Sequence, residues 1–361
     1  MPLARSPWND GADQTTDGRP PGRGALRAMS LLGRRAGRRA NGRGQLRIFF
    51  ATDLHGSEAC FRKLLAAARV YAVDALVMGG DLTGKALRPL VRADGGYRAG
   101  IGGDGGTFID EAAAAAYARR AADAGTYCVT LDPAEAERLV DPAFVDTLLT
   151  AEAARRVAEW VALAQERLAG TGVQLFISAG NDDPPEVLAA AAQADGEHVV
   201  YCDGRVVRVR DRVELLSFGF SNPTPWRTPR EVSETELREH IEAMIAQADA
   251  PGAGIFNLHV PPVASGLDRC PQLDASTDPP RVVRIGGEVV MGDAGSSAVR
   301  QALEAHQPLV GLHGHIHESR GAAKIGSTLA LNPGSDYHDG VLRGVIVALD
   351  EHRVVHQFTT G

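Results

Sequence analysis

The chain has 361 residues, of which 44% are hydrophobic and 23% are charged, with a net charge of −7 at pH 7. This balance is typical of a globular protein that buries a large core, either as one domain with an insertion or as two domains. No stretch reaches the ~18 apolar residues of a membrane span, and the four cysteines form no Cys-x-x-Cys pair, so we expect neither a membrane protein nor a disulfide framework. The cytoplasm is the expected compartment.

The first 45 residues differ from the rest in composition. They are rich in Gly and Arg and carry 9 Arg against 3 Asp, without sustained apolar periodicity, which predicts a disordered basic tail. The tail could touch nucleic acid or anionic lipid, although a solvated tail or a true start at Met29 is the simpler interpretation. Residues 46–361 then hold 29 of the 38 basic and 42 of the 45 acidic residues. Such an acidic body disfavours nucleic acid as a partner and favours small substrates.

The body begins with a strand, a turn, a helix and a second strand. Their predicted bounds are 46–52, 53–57, about 58–71 and 75–78. This succession is a βαβ unit, and in such units ligand-binding groups gather at the carboxyl ends of the strands. Asp53, His55 and Asp81 all lie at those ends.

Residues 84–172 break this rhythm, and we interpret them as a mainly helical insertion over one face. They contain a Gly-rich stretch, an Ala-rich helix, a short strand and a long helix, at 95–106, 110–124, 127–131 and about 142–168. Further elements then follow: strands at 173–178, 255–258, 309–312, 328–331 and 344–349, a hairpin near 199–218, helices at 233–248 and 296–306, and a polar, Pro-rich loop at 261–280.

Three short polar motifs follow strands in the first half of the body. Asp53-Leu54-His55 can offer a carboxylate and an imidazole to one cation, although such a pair is more often a helix cap with a surface histidine. Gly80-Asp81 adds a carboxylate, or is a plain turn. Gly180-Asn181-Asp182-Asp183 can add a neutral amide ligand, or cap a helix before Pro184.

Two histidine motifs follow strands in the second half. His259 comes directly after the strand 255–258, where a lone histidine is more often a core or surface residue. The run His313-Gly314-His315-Ile316-His317 is more specific, because alternating residues of an extended segment present His315 and His317 to one side. A metal-free surface loop is the alternative. All these candidate ligands fall at or just past strand ends, and independent accidents seldom align in this way.

The ordered set of motifs resembles the calcineurin-like metallophosphoesterases over roughly residues 46–350, apart from the insertion, and the run 332–335 (Asn-Pro-Gly-Ser) resembles a turn frequent in that family. The resemblance implies an α/β fold, namely a four-layer sandwich of two mixed β-sheets flanked by helices. It also implies two metal ions. One would take Asp53, His55, Asp81 and His317, and the other Asp81, Asn181, His259 and His315, so that Asp81 bridges them.

Two divalent cations about 3.5–4 Å apart can polarise phosphoryl oxygens, orient an ester in line and acidify a bridging water. We therefore predict a phosphoric ester hydrolase that acts on a small phosphate ester, with Asp81, Asn181 and Asp182 as catalytic residues. The ligand types suit Mn, Fe, Zn, Co or Ni alike, and we favour Mn as the cofactor.

Asp182 departs from the family pattern. The family usually has a histidine there, placed to protonate or stabilise the leaving oxygen, whereas a carboxylate beside two cations stays ionised and donates protons poorly. We therefore expect a phosphodiester or an activated monoester as the substrate. The same departure keeps a second hypothesis open, a catalytically weak interaction scaffold on the phosphoesterase fold, while the acidic body disfavours a nuclease.

The Pro-rich run 218–230 has two interpretations. Asn222, Trp226 or Arg227 could contact the substrate, or the run could be an ordered surface loop.

Overall fold

A computed structural model of the protein describes residues 45–100, 107–193, 196–210, 213–350 and 353–361. Residues 1–44 of the predicted tail and 101–106 of the Gly-rich stretch lie outside this part. The division into a tail and a domain at 46–361 therefore stays a prediction. In the part of the chain that the structure describes, none of the helices combines the length and the apolar character of a membrane span.

The elements follow one another in chain order as strands, helices and short 3₁₀ turns. The strands are β1 (Leu46–Ala51), β2 (Ala75–Met78), β3 (Ala86–Ala93), β4 (Gly96–Ala99), β5 (Thr107–Ile109), β6 (Thr126–Leu131), β7 (Gln174–Ile177), β8 (Val199–Tyr201), β9 (Arg205–Arg210), β10 (Val213–Phe218), β11 (Ile255–Leu258), β12 (Arg269–Pro271), β13 (Leu273–Asp274), β14 (Arg281–Val282), β15 (Arg284–Ile285), β16 (Glu288–Val289), β17 (Met291–Asp293), β18 (Val310–Leu312), β19 (Gly321–Ile325), β20 (Thr328–Asn332), β21 (Arg343–Leu349) and β22 (Val354–Thr360). The helices are α1 (Glu58–Val70), α2 (Glu111–Asp123), α3 (Pro133–Glu137), α4 (Pro142–Leu168), α5 (Pro185–Ala192), α6 (Glu234–Ile245) and α7 (Ser297–His306).

Two six-stranded mixed sheets form the centre of the fold. The first has the order β22-β21-β1-β2-β7-β8 and the second the order β19-β20-β18-β11-β10-β9. Four strands of each sheet run parallel: β1, β2, β7 and β8 in the first, and β20, β18, β11 and β10 in the second. The carboxyl ends of these parallel strands therefore open onto one edge of each sheet.

The two sheets pack face to face and helices cover both outer faces. Alternation along β1 shows the arrangement, because Phe50 points into the core between the sheets while Phe49 packs with the helices outside the first sheet. Helices α1, α4 and α5 cover the first sheet, and α6 and α7 cover the second. This confirms the predicted four-layer sandwich.

Local sequence explains why α1 begins directly after the first polar motif. Ser57 caps the helix by accepting a hydrogen bond from the backbone N–H of Cys60 at 3.3 Å. Phe61, Leu64 and Leu65 then form one buried stripe at helical spacing. The ring of Phe61 stacks on Trp160 of α4 with 4.3 Å between centroids, which joins the insertion to the body.

The insertion at 84–172 contains more strand than the sequence predicts. Besides its helices it holds a four-stranded sheet of order β5-β4-β3-β6, of which only β6 was expected. Strand β3 was missed because Pro89 within it argues against a strand, and its arginines, Arg88 and Arg92, lie four residues apart rather than in the alternation typical of a strand. The predicted loop at 261–280 likewise holds β12 and β13, which belong to small two-stranded ribbons.

Candidate metal centre

The seven predicted ligands follow the carboxyl ends of parallel strands from both sheets. After β1, β2 and β7 of the first sheet come Asp53, His55, Asp81 and Asn181, and after β11 and β18 of the second come His259, His315 and His317. Because the two sheets face each other, the loops of one edge meet the loops of the other. The alternative interpretation of the Asp53-Leu54-His55 motif, a helix cap with a surface histidine, is wrong in both parts. Ser57 rather than Asp53 caps α1, and His55 is fully buried.

Four of these side chains form one compact cluster. One ligand atom from each residue lies within 4.8 Å of those of the others, in Asp53, His55, Asp81 and His317. His55 Nε2 is 3.2 Å from His317 Nε2 and 3.5 Å from Asp81 Oδ2. His317 Nε2 is 3.4 Å from Asp53 Oδ1. The resemblance assigns these same four residues to one ion.

The other predicted ligands lie directly against this cluster. His259 Nε2 is 3.4 Å from Asp81 Oδ2 and 3.9 Å from Asp53 Oδ1. His315 Nδ1 is 2.7 Å from Asn181 Oδ1, and the His315 backbone N–H donates to Asp53 Oδ1 at 3.0 Å. The structure therefore brings all seven side chains together, with Asp81 between the two groups.

The donor set fits a divalent cation. Carboxylate oxygens and imidazole nitrogens are the ligands that first-row divalent metals accept. His259 is buried, and neither of its ring nitrogens has a hydrogen-bond partner among the described residues. A buried polar atom without a partner is costly, and a cation between His259 and Asp81 would supply that partner.

The backbone is strained at four of the seven predicted ligands. Their φ angles lie in the left-handed region, at 55° for Asp53, 41° for His55, 49° for Asp81 and 66° for His315. For residues other than Gly this conformation costs roughly 1–2 kcal/mol each, and such strain concentrates at functional sites.

Hydrogen bonds between the first two loops hold this strained backbone. Asp53 N–H donates to Gly80 O and His55 N–H to Asp81 O, both at 3.0 Å, so the loops continue the pairing of β1 with β2. Gly80 is required here, because a Cβ on it would lie 2.5 Å from His259 Nδ1.

Asp183 joins two loops of the first sheet. Its buried carboxylate accepts from the backbone N–H groups of Leu82, Thr83 and Gly180 at 2.8–3.0 Å, and from the Thr83 hydroxyl at 2.9 Å. The helix-cap alternative for this motif is wrong, because α5 begins after Pro184 without a side-chain cap.

Asn332 joins the loops of the second sheet. Its Nδ2 donates to the carbonyls of Leu267 and Gly314 at 3.3 Å and of Ile316 at 3.0 Å, while its Oδ1 accepts from Gly334 N–H at 2.8 Å. Ser335 follows and donates to the carbonyl of Asp53 at 2.7 Å, so this turn also touches the first sheet.

Partners outside the cluster orient two of the ligands. The Nδ1 of His55 lies 3.1 Å from the carbonyl oxygen of Thr83. When Nδ1 carries the proton and donates to that oxygen, Nε2 is unprotonated and faces the cluster. Asn181 Nδ2 donates to Thr228 Oγ1 at 2.9 Å, and Thr228 donates to Glu231 Oε1 at 2.7 Å. These linked hydrogen bonds turn the side-chain carbonyl oxygen of Asn181 toward His315.

His313 belongs to the same run as His315 but has a different role. It is fully buried, and its Nδ1 lies 2.7 Å from the carbonyl of Leu258 at the end of β11. It therefore ties the end of β18 to the end of β11, beside His259.

Burial and neighbouring charges together shift the pKa values of the cluster. Burial lowers the pKa of His55 and His315 to about 3 each, with the charges of Lys85 and His259 adding to the effect, so both rings are neutral near pH 7. Burial, then the charge of Asp182, raises the pKa of Asp81 to about 7. Burial alone would lower the pKa of His259, but the Asp81 carboxylate raises it to about 9.

Asp182 lies beside the cluster and is paired with Lys85. Its backbone N–H donates to Asp81 Oδ1 at 3.0 Å, and its carboxylate is in direct contact with the Lys85 ammonium. Burial alone would raise the pKa of Asp182, but the charges of Lys85 and His55 lower it to about 2. The sequence analysis identified Asp182 and missed its partner.

Sequence reasoning missed two further neighbours of the cluster. The ring of Tyr337 packs 4.6 Å from His55 and 5.9 Å from His317, centroid to centroid. Thr228 comes from the 218–230 run and reaches Asn181, whereas the expected contacts were Asn222, Trp226 and Arg227. No motif marks either residue. Lys85 could have been found by its position four residues after Asp81.

Comparisons with known proteins give distant similarities. No family profile matches the chain. An uncharacterised protein of Methanocaldococcus jannaschii is 25% identical over 176 residues, which cover 45% of this chain and 71% of that protein. One crystal structure aligns over 87% of this chain and 98% of its own, with 16% identity and a TM-score of 0.50. The protein TT1561 of Thermus thermophilus aligns over 86% and 98%, with 14% identity and a TM-score of 0.49.

A weaker match, with 11% identity and a TM-score of 0.29, joins 88% of this chain to the whole of an archaeal phosphodiesterase. The match at 0.50 shares the overall fold, and the two mixed sheets flanked by helices are those implied by the motif resemblance. The chain therefore has the calcineurin-like phosphoesterase fold, with a cluster of Asp and His residues that could bind metal.

Proposed function

We propose that this protein is a metal-dependent phosphoric ester hydrolase that binds two divalent cations, with Mn²⁺ favoured, and cleaves a phosphodiester or an activated phosphomonoester. One observation carries the proposal: Asp53, His55, Asp81 and His317 converge from three separate loops, with one ligand atom each within 4.8 Å of the others. Convergence of hard and borderline donors from distant loops is what a catalytic metal site requires.

When bound, the cations would polarise the phosphoryl group and make a water acidic enough to supply the nucleophile near neutral pH. The chain's own residues would divide the remaining work. Asp53, His55 and His317 would hold one cation, Asn181, His259 and His315 the other, and Asp81 both. Because Asp53, His55 and Asp81 are at most 2% exposed, their charges and dipoles act in a medium that screens them little.

The state of Asp182 supports the choice of ester. With a pKa of about 2 it stays ionised at neutral pH and does not protonate a leaving group. Esters whose leaving oxygen is already a weak base are therefore the better substrates, which favours a diester of an acidic alcohol or an activated monoester.

Charge and cysteine usage support the proposed setting. An acidic body would repel a nucleic-acid backbone, so we propose a small phosphate ester as the partner. All four cysteines are free, which suits a reducing compartment, and we propose the cytoplasm.

The test compares the wild type with Asp81→Asn. Bound metal is measured after Mn²⁺ loading, and hydrolysis of bis(p-nitrophenyl) phosphate and of p-nitrophenyl phosphate is followed. We expect the substitution to lower kcat/KM for the diester roughly 100-fold or more, since loss of a partner of a ligand alone typically costs 10–100-fold. The matched control is Asp249→Asn, whose carboxylate is on the surface and paired with Arg208.

Three results would count against the proposal or redirect it. An unchanged kcat/KM for the diester in Asp81→Asn would reject the assignment of Asp81 to both cations. Failure of the wild type to bind Mn²⁺ or any other divalent ion would reject the metal site itself. A wild type that binds metal but leaves both esters intact would favour the interaction scaffold.

A further inference from the structure

The ion pair of Lys85 and Asp182 lies at the exposed side of the cluster. Exposure of the side chains rises from 0–3% for His55 and Asp81 to 30% for His317 and 56% for Lys85. A molecule that reaches the cluster from solvent therefore meets His317 and Lys85 before it meets the buried carboxylates.

Both members of the pair are tied to the candidate metal ligands by short stretches of chain. Lys85 comes four residues after Asp81 in the loop that follows β2. Asp182 directly follows Asn181, and its backbone N–H donates to Asp81 Oδ1 at 3.0 Å. The Asp182 carboxylate thus holds the Lys85 ammonium close to the cluster, because the backbone of Asp182 is itself hydrogen-bonded to Asp81.

The hydrogen-bonding chemistry of the Lys85–Asp182 pair differs from that of the histidine that the resembled family usually has at position 182. A histidine after Asn181 would bring one donor, whereas Asp182 alone brings only acceptors and negative charge. Lys85 changes this balance, because its ammonium has three donors and the Asp182 carboxylate takes only part of that capacity. Because the Lys85 side chain is 56% exposed, this remaining donor capacity is accessible to an anion that approaches from solvent.

Composition makes this lysine unusual in the chain. Only three of the 38 basic residues are lysines, namely Lys63, Lys85 and Lys324. Lys63 donates to the carbonyls of Gly340 and Gly361, and Lys324 lies on β19, which is an edge strand of the second sheet. Lys85 alone among them lies beside the candidate ligands.

We propose that Lys85 is a substrate-binding residue that contacts an anionic oxygen of the phosphate ester, and that Asp182 is the positioning residue that aims its ammonium. This inference rests on the proposed function and deepens it. Lys85 supplies a fixed positive charge beside the phosphoryl group and keeps its proton throughout. The substrate class is an ester with at least one free phosphate oxygen on the side of Lys85.

The test measures binding of inorganic phosphate to the Mn²⁺-loaded protein by calorimetry, and KM and kcat for bis(p-nitrophenyl) phosphate. Lys85→Met keeps an unbranched side chain, one heavy atom shorter than lysine, and removes the charge. We expect Mn²⁺ content to stay at the wild-type level, phosphate affinity to fall 10-fold or more, and KM to rise by more than kcat falls. Lys324→Met is the matched control and should bind phosphate within twofold of the wild type.

A double-mutant cycle tests the role of Asp182. If Asp182 aims the ammonium, Lys85→Met should weaken phosphate binding by a smaller factor in an Asp182→Asn background than in the wild type. An equal factor in both backgrounds would overturn the positioning role.

The outcomes separate this inference from the proposed function. Normal Mn²⁺ content and normal diester hydrolysis, with phosphate affinity and KM of Lys85→Met within twofold of the wild type, would overturn the inference alone. A wild type that binds neither Mn²⁺ nor phosphate would overturn both. Lys85→Met leaves the Asp182 carboxylate, which is 9% exposed, without its cation, so melting temperatures are compared for the Lys85→Met/Asp182→Asn double variant, which should agree with the wild type. A large drop in melting temperature would point to a structural role instead and would also overturn the inference.

Discussion

The loops of the first sheet and those of the second are joined by side chains of opposite hydrogen-bonding character. In the first sheet the Asp183 carboxylate collects backbone N–H groups, and in the second the Asn332 amide donates to backbone carbonyls. Both side chains are fully buried. The comparison shows that the loops around Asp183 turn N–H groups toward that side chain, whereas those around Asn332 turn mostly carbonyls toward it, so an acid suits one position and an amide the other.

The largest effect on stability is expected when the amide of the second sheet, Asn332, is replaced by an acid. Asn332→Asp keeps the shape of the side chain but replaces its NH₂ group with a carboxylate oxygen. That oxygen then faces the carbonyls of Gly314 and Ile316, with no proton between them. We expect the free energy of unfolding to fall by about 4 kcal/mol at pH 8, the typical cost of an uncompensated buried charge. Urea unfolding followed by circular dichroism measures this.

The pH dependence of Asn332→Asp separates charge from packing. Burial would raise the pKa of the new carboxyl above its usual value, so the penalty should be small at acid pH and grow as the pH rises through that pKa. A penalty that is the same at pH 5 and pH 8 would contradict the charge explanation.

The reciprocal exchange in the first sheet should cost less. Asp183→Asn places an NH₂ group against the N–H groups of Leu82, Thr83 or Gly180, so at least one donor loses its acceptor. We expect a loss of about 2–3 kcal/mol in the free energy of unfolding, because unsatisfied buried donors cost roughly 1–3 kcal/mol each. Burial also raises the pKa of Asp183, and removing that buried charge offsets part of the loss. A variant as stable as the wild type in urea would show that the carboxylate is not needed.

A bound cation would join the two groups of loops, because the first sheet supplies all three oxygen donors of the predicted ligand set and the second supplies only imidazoles. Mn²⁺ at 100 times its dissociation constant should therefore raise the free energy of unfolding by about 2.7 kcal/mol, and a chelator should reverse the gain. Differential scanning calorimetry with and without Mn²⁺ measures it. The comparison would be broken if Mn²⁺ stabilised Asp81→Asn and the wild type equally.

A smaller effect is expected from a residue that acts only on the first-sheet side. Thr228→Val removes the hydroxyl that accepts from Asn181 Nδ2 at 2.9 Å and leaves the amide free to rotate. We expect Mn²⁺ affinity to fall about 10-fold, at the lower end of the effect of such outer partners. Thr224→Val is a useful control, since Thr224 also bonds Glu231 but not Asn181. Loss of affinity in both variants would locate the effect in the loop as a whole.

Much of the candidate site could be predicted because its signals are local. Strands β2 and β11 were predicted to the residue, since short apolar runs ended at glycine or polar residues, and the ligands directly follow such strands. Asn332 and Asp183 were part of the resemblance, but their roles depend on backbone groups that only the fold brings near. Thr228 is 47 residues from Asn181 along the chain, and no periodicity encodes that contact. Strand β22 was missed because its alternation becomes meaningful only beside β21.

The last prediction concerns pH and acts through His259 of the second sheet. Asp81 raises the pKa of His259 to about 9 in the metal-free protein, against the effect of burial. A cation needs the neutral imidazole, so its binding must displace this proton, and Mn²⁺ affinity should rise up to about 10-fold per pH unit from pH 7 to pH 9 and then level off. His55 and His315, with pKa values of about 3, add no slope in this range.

The raised pKa of His259 gives the stability of the metal-free protein the opposite pH dependence. Because the folded-state pKa of His259 lies above its unfolded value of about 6.5, the protonated ring contributes stability that is complete below pH 6.5 and is lost as the pH rises through about 9. The metal-free protein should therefore be less stable at pH 9 than at pH 6.5, while the gain from Mn²⁺ grows over the same interval. Calorimetric titrations in two buffers of different ionisation enthalpy count the released proton. An Mn²⁺ affinity that is flat from pH 7 to pH 9 would mean that His259 is not a ligand, and the second sheet would then contribute only His315 and His317.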